Sequence, residues 1–471
     1  MQMRNALITN PESTVPQALS MADSVLPPDD ALRMTLHREV HARPSARVRL
    51  PALITYVAVL NEGITLEQEC CHLCTLPQQS ALDIAEMSGN FLNLRLNGYA
   101  LKWERHSEFS RYTIIQSLPT TAGLEATEPN LLSALPVPGD WLKRIPGRTF
   151  GAIQLVMVPA DFKDVQAILV QGQKWFGGFP IVASAMGNPA GEAPAQTMHV
   201  GHSLALTRFH VGDDGFERML VIAPPNTSFT RAGRIAQRLL ELETYRLMAL
   251  RGLPVAKTLS PMLSQAEAQL ADITAQLENK STSDQTLLDV LVALAASVER
   301  AMAQHNYRFS ATSAYQALVK QRIIELREKP IPGTQTIGEF MQKRLSPAMS
   351  TVSATRQRLS SLSERIARTS DLLRTRVNIV TEEQNRQLLE KLTQGQDLQL
   401  RLQTTVEGLS LAAISYYVIS LLFYAGKALA AAGLPVNPEI LAGAAVPIVL
   451  LLVWKTIARI HAKLHKKAKS V

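Results

Sequence analysis

The stretch "LSLAAISYYVISLLFYA", Leu409 to Ala425, contains no charged residue, and its reading decides the architecture. With Gly408 and Gly426 it approaches the roughly 20 residues that a helix needs to cross a bilayer. A turn-rich link, "GKALAAAGLPVNPE", follows, and then "ILAGAAVPIVLLLVW", Ile440 to Trp454, is a second uncharged run. Two spans, about 409–426 and 439–455, joined by so short a link form a hairpin, so the parts flanking them share one side of the membrane. The tail carries Lys455, Arg459, Lys463, Lys466, Lys467 and Lys469. A flank rich in lysine and arginine lies on the cytoplasmic side and against anionic lipid. Both termini are therefore expected in the cytoplasm, with membrane lipid as a partner.

Working back from the first span, Val352, Leu359, Ile366, Leu373 and Val380 recur every seven residues, with Leu362 half a heptad away. That spacing is a coiled-coil seam. The register then slips to Leu388, Leu392, Leu398, Leu402 and Val406, a stutter. A continuous helix from Pro347 to Val406 would reach roughly 90 Å at its usual rise. Such a stalk needs packing partners along its length, either the preceding helices or copies of itself. Helices are expected from Ser260 to Asn279 and from Asp284 to Glu328, with a break at "KPIPGTQ" and the long helix starting near Thr336.

Before Val255 the texture is different. "RVRLPALITYVAVL", from Arg47 to Leu60, is β-branched and apolar, hence a strand. Asn97-Gly98 marks a tight hairpin, and Gly212-Asp213-Asp214-Gly215 marks another. A strand is expected in "TFGAIQLVMV", and helices near Pro77 to Ser88 and from Pro159 to Gln171. "TRAGRIAQRLLELETYRLMALRGLPV" is apolar at helical spacing until Gly252 and Pro254 stop it. The fold class read from these patterns is an α+β N-terminal domain with a largely antiparallel sheet, an all-α region with a coiled-coil stalk, and a C-terminal two-helix transmembrane hairpin. The boundaries expected are a leader at 1–30, the α+β domain at 31–255, a helical region at 256–335, the stalk at 336–407, the hairpin at 408–455 and a basic tail at 456–471.

The chain has 471 residues, 46% of them hydrophobic and 19% charged, with a formal net charge of +8. The basic tail raises the charge, so nucleic acid is not an expected partner. The first residues lack an apolar core of signal-peptide length, and secretion is not expected. All three cysteines fall in "CCHLC", as Cys70, Cys71 and Cys74. A local, odd set makes no disulfide framework and offers only half of a zinc site.

Candidate chemistry is sparse. "LHREVHARPS", Leu36 to Ser45, alternates His37, Glu39 and His41. Extended, they would share a face and form a two-histidine, one-carboxylate metal set; helical, they would not. A structural role is the preferred reading. "GHSLA" imitates a nucleophile elbow around Ser203, but strand alternation continues where the elbow requires a helix. In "WERHSEF", alternation groups Glu104, His106 and Glu108, and cross-strand salt bridging is expected of them. Arg234, Arg238, Glu241 and Arg246 lie at helical spacing, and a salt-bridged helix face is preferred there over an anion site. In the first span Tyr416, Ser420, Tyr424 and Lys427 fall on one polar stripe, read as a helix–helix seam before a pore lining. Walker, Rossmann and His-Glu-x-x-His patterns are absent, and no cofactor is expected.

Six separated blocks, "EVHARP", "LKWERHSEF", "LLELETYRLMALRGLPVA", "RFSATSAYQALVKQRIIELRE", "LLRTRVNIVTEEQN" and "LRLQTTVEGLSLAAISYY", resemble a bacterial family of membrane-anchored proteins known only as a domain of unknown function. The resemblance implies location, the bacterial inner membrane, and architecture, but no catalytic residues. More distantly, the order of parts is similar to CorA-type magnesium channels, although Tyr424-Ala425-Gly426-Lys427 stands where those channels carry Gly-Met-Asn. The leading expectation is a self-assembling, membrane-anchored scaffold or interaction protein without enzymatic activity, with an unidentified protein partner. The alternatives are a CorA-like channel and a metal-dependent enzyme using His37, Glu39 and His41.

Overall fold

The computed structural model describes residues 30–33, 36–37, 45–77, 82–87, 89–162, 164–187, 202–279, 282–432 and 437–468. In chain order the elements are β1 (Ala52–Leu60), α1 (Leu66–Cys74), β2 (Phe91–Leu96), β3 (Tyr99–Arg105), β4 (Phe109–Ser117), α2 (Gly139–Lys143), β5 (Arg148–Pro159), α3 (Val165–Trp175), β6 (Val182–Met186), β7 (Ser203–Val211) and β8 (Glu217–Ala223). The helices α4 (Phe229–Leu250), α5 (Gly252–Asn279), α6 (Asp284–Leu326), α7 (Ile337–Arg344), α8 (Ser346–Ala431) and α9 (Pro438–Ala468) follow. The chain divides into two compact units, Met1–Gln269 with Ala295–Glu364, and Leu270–Leu294 with Arg365–Val471.

The first unit contains one eight-stranded sheet in the order β2-β3-β4-β1-β5-β8-β7-β6. Its neighbours pair antiparallel except β5 and β8, which run parallel. All nine residues of β1, "ALITYVAVL", are buried, as a strand between two partners and covered on both faces must be. The two expected hairpins form. Gly98 takes φ +86° between β2 and β3, and Gly215 takes φ +81° between β7 and β8, conformations open to a residue without Cβ. One apolar cluster gathers Trp103, Tyr112, Leu73 and Trp141, and another gathers Trp175, Leu206, Val156 and Ile222. Helix α4 lies on the sheet, where the Tyr56 hydroxyl and Thr244 Oγ1 are hydrogen-bonded at 2.7 Å. Gly233 admits the chain leading into β1: a Cβ there would lie 1.6 Å from the Ala46 carbonyl oxygen, and Val48 N–H donates to the Phe229 carbonyl at 3.1 Å.

Several boundaries differ from expectation for local reasons. The first strand begins at Ala52, not Arg47. The helix expected from Pro159 starts at Val165, because Pro159 still belongs to β5 and the Asp164 carboxylate caps the helix by accepting from Ala167 N–H. In place of a helix over 77–88, α1 lies earlier, opened by a capping box between Thr65 and Gln68, and a short 3-10 turn covers Ile84–Met87. The strand β6, "VASAM", was not expected; its small side chains carry little β signal. Helix α4 does stop, at Arg251, but α5 starts at once, since Pro254 in a first turn forfeits no hydrogen bond. Thr336 opens α7 through a capping box with Glu339, and the long helix itself begins at Ser346.

In the first unit, parts of α5, α6 and α8 bury Leu259 and Leu263, Val298 and Phe309, and Val352, Leu359 and Leu362. Arg358 bridges to Glu267 at 2.8 Å and Ser363 Oγ donates to Glu299 at 2.5 Å. In the second unit, Leu270 and Ile273, Leu287 and Leu291, and Ile366 and Leu373 are buried, with Arg376 paired to Asp284 at 3.0 Å. The end of α8 packs against the start of α9, where Gly426 faces Pro438 and Leu441. Two helices, one ending at Ala431 and one over Pro438–Thr456, are long and apolar enough to cross a membrane, each with a window of mean hydropathy 1.7 that is 6% buried.

Candidate functional site

Glu104, for which cross-strand salt bridging is expected, and Glu241 and Arg238, expected on a salt-bridged helix face, belong to one row of charges through the first unit. Lys102 Nζ lies 3.2 Å from Glu104, and Glu104 takes Arg111 through two nitrogens at 2.6 and 2.8 Å. Arg111 reaches Glu241 at 3.4 Å, Glu241 accepts from Arg322 at 2.6 Å, Arg322 holds Glu325 at 2.9 Å, and Glu325 meets Arg238 at 3.4 Å. Side-chain exposure climbs along the row, from 2% at Glu104 to 37% at Arg238. Strand pairing sets the inner end, because Glu104 on β3 is registered opposite Arg111 on β4. Helix α4 supplies Glu241 and Arg238, and α6 supplies Arg322 and Glu325.

The electrostatics follow from burial. Burial alone would lower the Arg111 guanidinium, but Glu104, Tyr56 and Glu241 together raise it. Burial would raise the Glu104 carboxyl, and Arg111 with Lys102 overcomes this and lowers it. Lys102 goes down through burial, against the pull of Glu104. The Tyr56 hydroxyl beside them is pushed up to about 12, chiefly by burial. Both members of the central pair are therefore held charged, with the bidentate geometry that a buried ion pair needs to offset desolvation. A cavity of about 30 Å³ borders Tyr56, Lys102, Glu104 and Arg111, room for about one water.

The other sequence candidates fall elsewhere. His37 is exposed on a short helical segment, and Glu39 and His41 lie outside the described residues. No group of three or more metal-ligating side chains occurs among the described residues. Cys70 is buried with its thiol toward the Leu82 carbonyl, Cys74 is half-buried and Cys71 is exposed. Ser203 opens a strand, so it lacks the strand-to-helix turn of a nucleophile elbow. Glu104, His106 and Glu108 are not grouped. The strand ends at Arg105, His106 stacks on Phe109 at 4.5 Å, and Glu108 pairs with Arg308. Arg246 pairs with Glu243, and Arg238 and Glu241 bind partners on other elements.

In the hairpin, Tyr416, Tyr424 and Lys427 are exposed and Ser420 is half-exposed, while Gly426 meets Pro438 and Leu441 of α9. The polar stripe therefore does not form the seam between the two helices of one chain. Gly443 has nothing within 4 Å of an added Cβ. Of the tail, Lys455 and Arg459 are exposed, Lys463, Lys466 and Lys467 continue α9, and Lys469 lies outside the described residues.

Sequence reasoning singled out Glu104, Glu241 and Arg238 but missed Lys102, Arg111 and Arg322 as their partners. One signal was present: "ALKWER" places Lys102 and Glu104 on one face of an otherwise apolar strand, and such charges must be paired across the sheet.

A family model described as a protein of unknown function (DUF3422) matches residues 28–464. The chain belongs to the DUF3422 family. No curated protein and no solved structure matches it, so the comparisons lend the expected likeness to CorA-type channels no support. The family match covers the sheet, the charge row and both apolar helices in one span.

Proposed function

We propose that the protein is a membrane-anchored scaffold. Two spans hold it in the bacterial inner membrane, the α+β unit and both termini face the cytoplasm, and copies associate through α8. One observation carries this reading. The first heptad positions of α8, Val352 to Leu373, are buried within the chain, whereas Leu388, Leu392, Leu398, Leu402 and Val406 are each at least 56% exposed. A soluble surface rarely leaves so long an apolar run open to water. The stuttered repeat suits a coiled coil with the same helix of a second copy. Parallel copies in one bilayer bring those faces together directly above the first span, and the exposed Tyr416 and Tyr424 continue the contact within it. The lysines and arginines of the tail favour the cytoplasmic leaflet.

The experiment is to measure the mass of the full-length protein in mild detergent by light scattering, after confirming that it remains with membranes through carbonate washing. An oligomer that dissociates on Leu392→Glu/Leu398→Glu substitution supports the reading. A strictly monomeric particle, or release of the protein by the wash, overturns it.

A further inference from the structure

A cleft of about 320 Å³ opens in the first unit where the start of β7 meets the first turns of α4. Its lining converges from four segments: Gly187 after β6, His202 and Ser203 at β7, Arg231, Arg234 and Arg238 on α4, and Arg327 just beyond α6. Among the described lining residues these four arginines face one carboxylate, Glu325, which Arg238 touches at 3.4 Å and Arg322 shares. Arg234 and Arg327 are exposed to the cleft and make no ion pair or hydrogen bond with other described side chains.

Crowded guanidiniums repel one another. Burial and the charge of Arg234 press the Arg231 guanidinium below its ordinary value. Burial and Arg231 push the neighbouring His202 imidazole down to about 4, which leaves it neutral at pH 7.

Two further features separate this cleft from an ordinary basic patch. His202 is 4% exposed and Ser203 1%, and His202 Nδ1 and Ser203 Oγ are buried without a hydrogen-bond partner. Buried polar atoms are nearly always satisfied, so these two leave hydrogen-bonding positions open to a bound ligand or water. Arg327 holds φ +50°, a conformation costly for a residue with a Cβ. It is pinned there from both sides, since Gly187 N–H donates to the Leu326 carbonyl at 3.0 Å and Lys329 N–H to the Ala185 carbonyl at 2.8 Å.

We propose that this cleft binds a phosphate-class oxyanion, with Arg234, Arg238 and Arg327 as its charged clamp and Ser203 and His202 as neutral partners at its floor. Guanidiniums bind such oxygens through paired N–H groups, and a dianion matches the excess of arginine over carboxylate better than a single carboxylate would. The volume is that of a small-molecule pocket and admits a phosphate monoester. The clamp is built into the charge row, whose outer member is Arg238, so the sheet and α6 preorganise it.

The test uses the full-length protein in detergent, titrated calorimetrically with inorganic phosphate against sodium chloride of matched ionic strength. The variants are Arg234→Gln and Arg327→Gly, the latter fitting the positive φ without strain. Arg356→Gln, on a groove of the helical region, is the control. The expected result is saturable phosphate binding, weakened roughly tenfold or more by each cleft variant and unchanged in the control. A second arm places the proteins in phosphatidylcholine nanodiscs with and without phosphatidic acid. Binding of phosphatidic acid that the cleft variants abolish, with none of free phosphate, assigns the oxyanion to a lipid headgroup. Equal behaviour of wild type and cleft variants in both arms, or chloride matching phosphate, overturns the proposal.

Discussion

Replacing Arg111 with methionine would leave Glu104 buried with only Lys102 for support and strip Glu241 of one of its two cations. Breaking a buried pair from one side typically costs about 3–5 kcal/mol, and thermal unfolding of the Arg111→Met protein in detergent should show a loss of that size. A loss below about 1 kcal/mol, the scale of exposed pairs, would mean that the row is dispensable. His72 offers a second test. Its ring stacks on Trp141 at 4.3 Å, and burial, with a smaller push from Arg144, lowers it from 6.5 to about 4. The unfolded chain takes up a proton at His72 near pH 6.5 and the folded chain only near 4, so this contribution is complete above pH 6.5 and drains away as pH falls toward 4. Melting curves across that window should slope less in His72→Phe than in wild type. Of these residues, Glu104, Glu241 and Arg238 could be read from spacing. Arg111 and Arg322 could not, because pairing across strands and between distant helices depends on register and packing that no local pattern encodes.

The long helix shows two kinds of apolar position within one element. Leu359, 3% exposed, sits among helices of its own chain, and Leu359→Ala should cost about 2–5 kcal/mol of unfolding free energy. Leu392, 56% exposed, should cost little stability when replaced by glutamate and should act on subunit mass instead. A Leu392→Glu protein that melts early but keeps its assembly would contradict that division. The heptads were legible as heptads, since period is a property of sequence. Whether a seam is filled from within or left open is a matter of which helices turn back, and "KPIPGTQ" with the Thr336 cap decides this locally. Hairpins with glycine at their turns were legible for the same reason, while β6, with small side chains and partners beyond its own neighbours, was not.

At the scale of the whole chain, the two apolar helices and the basic tail predict that reporters fused to either end are active only inside the cell; an external signal from the C-terminal fusion would reverse the proposed topology. The sheet adds a constraint of its own. Its single parallel junction, β5 with β8, joins two antiparallel blocks. That connection must pass through α3, β6 and β7 first, and such non-local pairing is slow to form. The charge row spans both scales. Lys102, Glu104, Arg111, Glu241, Arg322, Glu325 and Arg238 alternate in sign, and both outermost members are cations. A sequence of alternating ions with an odd number of members cannot neutralise itself. Those seven side chains on their own carry one unit of positive charge in excess, and at the better solvated end, where Arg238 is 37% exposed, water or a bound anion can reach it.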